Sequence, residues 1–331
     1  MTGATRERVL RFGPEQSLVG ILTTPKGAAP DRPHVVIVNA GIIHRVGPNR
    51  LYVDLARAVA ALGFPVLRFD LTGLGDSDAS KDAGDSLAES ALADVRAAFE
   101  HLMATRQATR FLVFGLCSGA NYAALTAFRE PNVDGVLLID PTVARTRRST
   151  MVHVVRRLRN LSTLRALVTL RHPIFHRRIG RASSTALSVA QAAEGQSGQQ
   201  SNFDAPDMSE SAARQAMESL VARGVHLMLV FTGGVNHVYN YHGQLFDLLP
   251  GLDFRSQLRL LYMPDTDHTV SDKIGRVRVL TAVRSWLDES FPARAHASPA
   301  RACVRRAAWS WLWRYREAGW QVTHQATPRQ V

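Results

Sequence analysis

The stretch Gly-Leu-Cys-Ser-Gly at residues 115–119 decides the fold class of this chain. It joins a predicted strand, Phe111–Gly115, to a predicted helix, Ser118–Phe128. A turn this sharp strains its central residue, and side chains at the two flanking glycines would collide with the neighbouring strand and helix. The central Cys117 stands at a helix N-terminus, where backbone N–H groups and the helix dipole favour a thiolate. The stretch therefore predicts a nucleophile at Cys117.

Two other interpretations of the same stretch stay open. Ser118 is the rival nucleophile, although one residue later it would point along the helix instead of out of the turn. Cys117 could also be a small buried residue in a tight turn, which is a common role for cysteine.

Apolar runs alternate with helical stretches on both sides of this turn. The predicted strands are Leu18–Thr24, His34–Asn39, Pro65–Leu71, Phe111–Gly115, Gly135–Asp140, Val225–Thr232 and Leu258–Met263. The predicted helices are Asn49–Leu62, Ser86–Met103, Ser118–Phe128, Ser209–Ala222, Tyr241–Leu248 and Ser271–Asp288. Strands that are apolar almost throughout and separated by helices indicate a mostly parallel sheet covered by helices on both faces. The fold class is therefore α/β.

The alternation is interrupted once, which divides the core into residues 1–141 and 209–291. Residues 142–208 are predicted to form a basic helical lid, since an insertion late in such a sheet is where a lid usually lies. Within it, Met151–Leu170 is predicted to form one or two amphipathic helices, whose apolar side carries Val154, Val155, Leu158, Leu161 and Leu164. Residues 292–331 form a basic tail that contains Trp309, Trp311, Trp313 and Trp320.

Positive charge is concentrated in two segments of the chain. The net charge is +12, and the 331 residues include 46% hydrophobic and 21% charged residues, a balance typical of a globular protein. From Arg145 to Arg181 there is no Asp or Glu, and the tail is again basic. Such segments indicate either an anionic ligand, such as the surface of an anionic membrane, or a solvated basic face. Nucleic acid is not expected as a partner, because it would explain the charge but not the turn around Cys117.

The ends and the cysteines of the chain bear on its location. Met1 to Pro14 holds no apolar run before its charges, and no apolar stretch is long enough to span a bilayer. Cys117 and Cys303 are too few for a disulfide framework. We therefore expect a cytoplasmic protein, with peripheral contact at the inner face of the membrane as an option.

A histidine late in the chain is the candidate base. His268 follows the last predicted strand and precedes the last predicted helix. There it can reach Cys117 across the carboxyl ends of the strands, where open α/β sheets bind ligands. An imidazole beside a thiol is the standard means of making a thiolate. The pair Cys117 and His268 therefore predicts nucleophilic catalysis.

These features together resemble the α/β-hydrolase superfamily, from His34 to about Trp286. The matching residues are Asn39-Ala40-Gly41, the stretch from Arg68 to Ser77, the turn at residues 115–119 and Asp267-His268. The cysteine in the turn is similar to that of dienelactone hydrolases. The whole pattern, with residues 44–48, also resembles small hydrolases encoded among bacterial polysaccharide-assembly genes.

The resemblance implies an α/β-hydrolase fold and an oxyanion hole beside Cys117. Its donors would be the backbone N–H of Ser118 and one from the turn Gly41–Ile43, either Ile42 or Ile43. Two fixed donors must face the charge that develops on a carbonyl oxygen during acyl transfer.

The resemblance also implies an acidic residue after strand Val225–Thr232, yet residues 232–237 contain none. Some members carry the acid one strand earlier, where Asp140 stands, although Asp140 could equally be a capping residue before Pro141. Asp247 is predicted to lie inside a helix, and Asp267 is badly placed to bond the ring of its neighbour His268. A cysteine nucleophile depends less on a third residue than a serine does.

Further motifs bear on ligands. His44 and Arg45 lie just beyond the oxyanion turn, so they either bind an anionic part of the substrate or are ordinary loop residues. His237 and His242 have no carboxylate or cysteine at ligand spacing, and Gly73-Leu74-Gly75 is not a dinucleotide fingerprint. We therefore expect no metal and no cofactor.

The sequence predicts a lidded hydrolase of acyl esters or thioesters, or an acyltransferase. The substrate would be a small acyl compound, and the basic lid favours a carrier-bound, CoA-bound or sugar-lipid form with phosphate or carboxylate groups. The alternative is a non-catalytic binding or scaffold protein with the same fold, which the missing acid and the basic, Trp-rich periphery support.

Overall fold

A computed structural model describes residues 5–26, 32–79, 86–159 and 210–292 of the chain. Its strands are β1 Thr5–Phe12, β2 Leu18–Pro25, β3 His34–Val38, β4 Val66–Phe69, β5 Phe111–Leu116, β6 Val133–Ile139, β7 His226–Thr232 and β8 Leu258–Met263. Its α-helices are α1 Leu51–Ala60, α2 Leu87–Arg106, α3 Ser118–Arg129, α4 Arg147–Arg159, α5 Glu210–Ala222, α6 Gln244–Leu248 and α7 Lys273–Ser290. Short 3₁₀ helices lie at Pro14–Gln16, Pro48–Arg50 and Gly233–Val235.

The eight described strands form one sheet in the order β1-β2-β4-β3-β5-β6-β7-β8. The pairs β1–β2 and β2–β4 are antiparallel, and all the later pairs are parallel. Antiparallel strands need only a short turn between them, whereas each parallel pair needs a crossover. The predicted α/β-hydrolase fold with a mostly parallel sheet is confirmed.

The sequence analysis missed strand β1. Its sequence mixes charged and apolar residues, including Arg6, Glu7 and Arg8, and most of its side chains are exposed. It lies at the edge of the sheet and pairs only with β2. Charged side chains on an edge strand discourage pairing with other chains. The same charges interrupt the apolar pattern by which a strand is predicted from sequence.

Helices cover both faces of the sheet, and each face has its own apolar core. On one face α2, α3 and α5 contribute buried side chains such as Phe99, Ala123 and Leu220. On the other face α1 and α7 contribute Leu55 and Trp286 among others. Because both faces are covered, all six residues of the central strand β5 are buried.

The carboxyl ends of the parallel strands meet at one edge of the sheet. The loops after β3, β5, β6, β7 and β8 therefore gather there, and each carries a residue or turn singled out from the sequence. Sites of open α/β proteins form in this position because the loops at this edge are free to vary while the strands hold them in place.

Helix α4 is the described beginning of the predicted lid. Its Ser149 carbonyl accepts a hydrogen bond from Asn240 in the loop after β7, and Arg156 donates to the Asn240 carbonyl. Val154 and Val155, placed on the apolar side of the helix, are 48% and 40% exposed. Leu161, Leu164 and the tryptophans of the tail lie outside the described residues.

Candidate active site

The turn between β5 and α3 is sharp and strained at its centre. Cys117 is the N-cap of α3 with φ 57° and ψ −124°, a conformation that non-glycine residues seldom adopt. A Cβ at Gly115 would overlap the backbone of Gly119, and a Cβ at Gly119 would overlap the carbonyl of Asn39. The two glycines are therefore needed for the steric reason that the sequence suggested, and they hold the cysteine out of the turn.

The side chains of Cys117, His268 and Asp140 come together as a relay. Nδ1 of His268 donates to Oδ2 of Asp140 at 2.7 Å, and the imidazole lies close enough to the side chain of Cys117 for the two groups to interact. These three residues come from the loops after β5, β6 and β8. The structure thus brings together the three residues that the sequence analysis named as catalytic candidates.

The surroundings of His268 favour its protonated form. Hydrogen bonds to Asp140 and then to Cys117 raise the pKa of His268 to about 10, against the opposing effect of its burial. A carboxylate beside an imidazole stabilises the imidazolium in this way. His268 can therefore hold a proton that it takes from a neighbouring thiol.

Asp140 is itself held by the end of strand β7. Its carboxylate accepts hydrogen bonds from the Thr232 backbone N–H and hydroxyl, both at 2.6 Å, and the residue is 4% exposed. Its φ of 49° turns the backbone sharply after β6. The sequence analysis missed Thr232, whose only signal is a hydroxyl at the end of a buried strand.

The loop after β7 has no room for the acid that the family resemblance implies. A Cβ at Gly234 would overlap the backbone and Cβ of His268, and a Cβ at Gly233 would overlap the Pro264 carbonyl. The two glycines let this loop pass directly against the loop after β8 that carries His268, which we call the histidine loop. The carboxylate that reaches the ring comes instead from Asp140, one strand earlier.

The other two aspartates considered from the sequence have different partners. Asp267 accepts hydrogen bonds from the backbone and hydroxyl groups of Thr269 and Ser271. Although burial opposes the change, these bonds hold the pKa of Asp267 below its usual range. Asp247 accepts from the hydroxyl of Tyr241. Asp267 therefore braces the histidine loop without contacting the ring.

Ser118 uses its hydroxyl to hold the neighbouring turn. Its Oγ accepts a hydrogen bond from the Gly41 N–H at 2.8 Å, and the residue is buried. As the first residue of α3, its own N–H has no carbonyl four residues back within the helix to bind. The hydroxyl is thus engaged, whereas the backbone donor faces the N-terminal end of the helix.

The turn after β3 leaves one of its two predicted donors free. The Ile43 N–H donates to the Ala40 carbonyl at 3.0 Å, so this predicted oxyanion donor is already engaged within the turn. The Ile42 N–H has no partner among the described residues. Asn39 braces the turn by donating to the Ile43 carbonyl.

Arg45 does not stand as a free cation beside Cys117. Its guanidinium pairs with Asp70 and Asp76, and its backbone N–H donates to Asp70. The chain's own carboxylates thus engage Arg45, and contact of Arg45 with an anionic part of the substrate stays a prediction. His44 is exposed and lines a pocket with Arg45, and this pocket contains none of the three catalytic candidates.

Basic residues at the start of the predicted lid act on the loop after β7. Burial lowers the pKa of His237, and the charges of Arg145, His153 and His268 lower it further. Arg145 precedes α4 and His153 lies on it, so the start of the predicted lid comes near His237, whose neutral form these effects favour. The sequence analysis had considered His237 only as a metal ligand.

The described residues contain no group of three His, Cys, Asp or Glu side chains placed to hold a metal ion. None of the described helices is long and apolar enough to cross a membrane.

Comparison with known proteins identifies the family of the chain. A search of curated proteins finds no significant match. Among solved structures, an esterase from Pyrococcus furiosus is 14% identical with a TM-score of 0.53, and the alignment covers 87% of this chain and 91% of the esterase. A putative α/β hydrolase from Agrobacterium tumefaciens is 14% identical with a TM-score of 0.51, over 86% of this chain and 95% of the other.

A proline iminopeptidase from Mycobacterium smegmatis is 17% identical with a TM-score of 0.50, over 85% of this chain and 98% of that one. At such identities these structures show a shared fold. The family model described as serine aminopeptidase, S33, matches residues 31–217, more than half of the chain. The chain therefore belongs to the S33 serine aminopeptidase family of α/β hydrolases.

Proposed function

We propose that the chain is an acyl ester or thioester hydrolase, or an acyltransferase, in which Cys117 is the nucleophile. The observation that carries the proposal is the side-chain relay from Cys117 through His268 to Asp140. A nucleophile, a base in contact with it and a third group that orients the base are the arrangement that covalent acyl transfer requires.

In the proposed reaction the thiol proton of Cys117 passes to His268, and Sγ attacks the carbonyl carbon of the substrate. The resulting oxyanion collapses, the leaving alcohol or thiol takes the proton from His268, and the acyl group stays on Cys117 as a thioester. Water then gives a proton to His268 and attacks this thioester. The acid is released, and the proton returns from His268 to the thiol. In a transferase an acceptor hydroxyl or amine replaces water.

The proposed oxyanion hole is formed by the backbone N–H groups of Ser118 and Ile42. Ser118 supports it because its N–H stands at the start of α3 next to Cys117. Ile42 supports it because its N–H is the donor that the turn after β3 leaves without a partner among the described residues. A fixed donor pair of this kind is worth about 3–4 kcal/mol per donor in the transition state of acyl transfer.

Two observations favour Cys117 over Ser118. The family name implies a serine nucleophile. Cys117, however, occupies the strained centre of the turn, and we therefore assign this turn as the nucleophile elbow. The Ser118 hydroxyl is buried and accepts the Gly41 N–H. It would have to abandon that contact in order to reach His268.

The positive charge of Arg145, which acts on the loop after β7 near His237, supports an anionic substrate. Acyl groups bound to CoA or to a carrier meet this condition, as do lipid-linked sugars. Hydrolysis fits the family, whereas the choice of a thioester, the transfer reaction and a place in polysaccharide assembly are parts of the proposal that rest on the sequence.

The scaffold alternative rested on the missing acid and on the basic, Trp-rich periphery, whose tryptophans lie outside the described residues. Asp140 contacts His268 and is itself fixed by Thr232, so the absence of an acid after β7 no longer argues against catalysis. Contact with an anionic membrane, the cytoplasmic location and the lack of nucleic-acid binding stay predictions.

The experiment compares two adjacent alanine variants with the wild type on nitrophenyl esters of varied chain length and on acyl-CoA thioesters. We expect Cys117→Ala to lower kcat/KM by at least about 1,000-fold, since it removes the covalent step. We expect Ser118→Ala to keep more than about a tenth of the wild-type value, because alanine retains the backbone N–H. An active Cys117→Ala with an inactive Ser118→Ala would show that serine is the nucleophile.

A further inference from the structure

The pocket that His44 and Arg45 line lies beside strand β4 and is rich in arginine. Its volume is about 320 Å³, and its polar lining consists of His44, Arg45, Arg50, Arg57, Arg68 and Asp76. We call it the arginine pocket. Arg57 comes from α1, Arg68 from β4, and Arg45 from the loop after β3. The proposed reaction uses none of these side chains.

Arg68 is the unusual member of this group. It is 3% exposed, and its guanidinium makes no hydrogen bond to any described residue. The carboxylate nearest to it is that of Glu7, at 3.8 Å, which is too far for a hydrogen bond. A guanidinium carries five N–H donors, and leaving them unsatisfied away from water is costly. The buried Nε–H of Arg68 therefore lacks an acceptor among the described residues.

The charges around Arg68 do not compensate one another. Burial lowers the pKa of Arg68, and Arg45, Arg57 and Arg50 lower it further, while Glu7 opposes them. Glu7 is already hydrogen-bonded to Arg57 at 3.0 and 3.2 Å. Like charges held this close raise the free energy of the folded state unless an anion joins them.

The carboxylates around the pocket are hydrogen-bonded to arginines other than Arg68. Asp70 and Asp76 are engaged by Arg45. Arg50 is exposed and forms no ion pair within the described part of the chain. Beside these four guanidinium groups lie Glu7, Asp70 and Asp76, with Asp54 acting on Arg57. Arg68 is the most deeply buried of the four, and its nearest carboxylate, Glu7, is already hydrogen-bonded to Arg57.

We propose that the arginine pocket binds a phosphate dianion, with Arg68 at its base and Arg50 at its rim. Planar guanidinium groups match phosphate oxygens in paired hydrogen bonds, and a dianion offers more acceptors than a carboxylate does. A volume of about 320 Å³ accommodates the phosphate together with the adjoining part of a small ligand.

The phosphate is either free in solution or part of the acyl substrate, and the second source rests on the proposed function. In the sheet, β4 is separated from β5 by β3 alone. Strands lie 4.7–4.9 Å apart, so Arg68 and the Cys117 turn are on strands roughly 10 Å apart. The turn that carries Ile42 leads directly to His44 and Arg45.

Thermal unfolding with inorganic phosphate as the probe tests the site without any need for turnover. Phosphate replaces chloride at constant ionic strength, and a saturable rise in Tm reports binding to the folded state. We expect the wild type to show this rise, Arg68→Met to lose it, and Arg50→Gln to need at least about fivefold more phosphate for half the effect. Arg278→Gln is the matched control, since Arg278 is an equally exposed arginine on α7, outside the pocket.

The proposal is overturned if phosphate does not raise the Tm of the wild type. It is also overturned if phosphate raises the Tm of Arg50→Gln, or that of Arg68→Met, as much as it raises the Tm of the wild type. If Arg68→Met does not fold, Arg50→Gln against Arg278→Gln decides. Calorimetry with CoA and with dephospho-CoA then separates the sources. If CoA binds more tightly than dephospho-CoA and Arg50→Gln loses this difference, the phosphate belongs to the substrate. If CoA and dephospho-CoA bind equally while inorganic phosphate still raises the Tm, the pocket binds free phosphate.

Discussion

The proposed catalytic relay and the arginine pocket differ in whether their buried charged groups have hydrogen-bond partners. In the relay, Asp140 is bonded by Thr232 and by His268, so the chain itself supplies every partner. In the pocket, Arg68 is just as deeply buried but has no hydrogen-bond partner among the described residues. A satisfied network is preorganised for its chemistry, whereas an unsatisfied one is completed by a ligand. Changes in the relay should therefore affect turnover, and changes in the pocket should affect the response to anions.

The largest effect short of removing the nucleophile is expected from Asp140→Asn. The amide keeps the shape but cannot stabilise the imidazolium, and Thr232 still directs two donors at it. We expect kcat/KM to fall by about 100-fold, less than in a serine enzyme because a thiol is the better nucleophile. The measurement is steady-state hydrolysis of a nitrophenyl ester.

Asp265→Asn is the control for that loss. Asp265 is exposed in the histidine loop and takes no part in the relay, so this variant should match the wild type. An Asp140→Asn enzyme with more than half of the wild-type activity would mean that His268 needs no acid and that the relay is structural.

A smaller effect on turnover is expected from a methyl group at Gly234. Its Cβ would overlap His268, so Gly234→Ala must displace the histidine loop. We expect kcat to fall by about tenfold, since small displacements of a base are costly in catalysis. Gly243→Ala is the matched control, because nothing lies within 4 Å of a Cβ there. Equal activities in the two variants would contradict the close approach of the two loops.

The relay should also give stability that depends on pH. The pKa of His268 is raised from 6.5 to about 10 in the folded protein, first by Asp140 and then by Cys117. A raised pKa contributes stability that is fully present below about 6.5 and is lost as the pH rises towards 10. The wild type should therefore lose about 1–3 kcal/mol more than His268→Gln between pH 6.5 and 10.

Urea unfolding at a series of pH values measures this difference. Subtracting the curve of His268→Gln removes the titration of groups that both proteins share. Parallel curves for the two proteins would show that His268 does not gain its proton affinity from the folded relay.

The sequence predicted the central sheet and the three relay residues for the same reason. Strands such as Phe111–Leu116 are apolar throughout, and parallel connections bring their ends to one edge. Cys117, Asp140 and His268 follow strands that could be identified, so their convergence followed from topology. Strand β1 was not predicted from the sequence because its mixed, largely exposed residues show no apolar period.

The contacts of Arg45 and Thr232 could not be predicted in the same way. The partners of Arg45 are Asp70 and Asp76, and the partner of Thr232 is Asp140, 92 residues away. Which polar groups pair across loops depends on where those loops come together in three dimensions, and neither residue carries a local pattern. For the same reason, the sequence does not show that Arg68 lacks a hydrogen-bond partner. An arginine in a strand is expected to be exposed until its neighbours are known.

Mass spectrometry of the acyl-enzyme tests the central claim most directly. The protein is mixed with an excess of nitrophenyl acetate, quenched in acid within the first turnovers and digested for peptide sequencing. The account predicts one acetyl group on Cys117, released by neutral hydroxylamine as a thioester, and no such adduct in Cys117→Ala. Cys303→Ala controls for labelling of the second cysteine. An acetyl group on Ser118, or an active enzyme in which Cys117 is never acylated, would contradict the account.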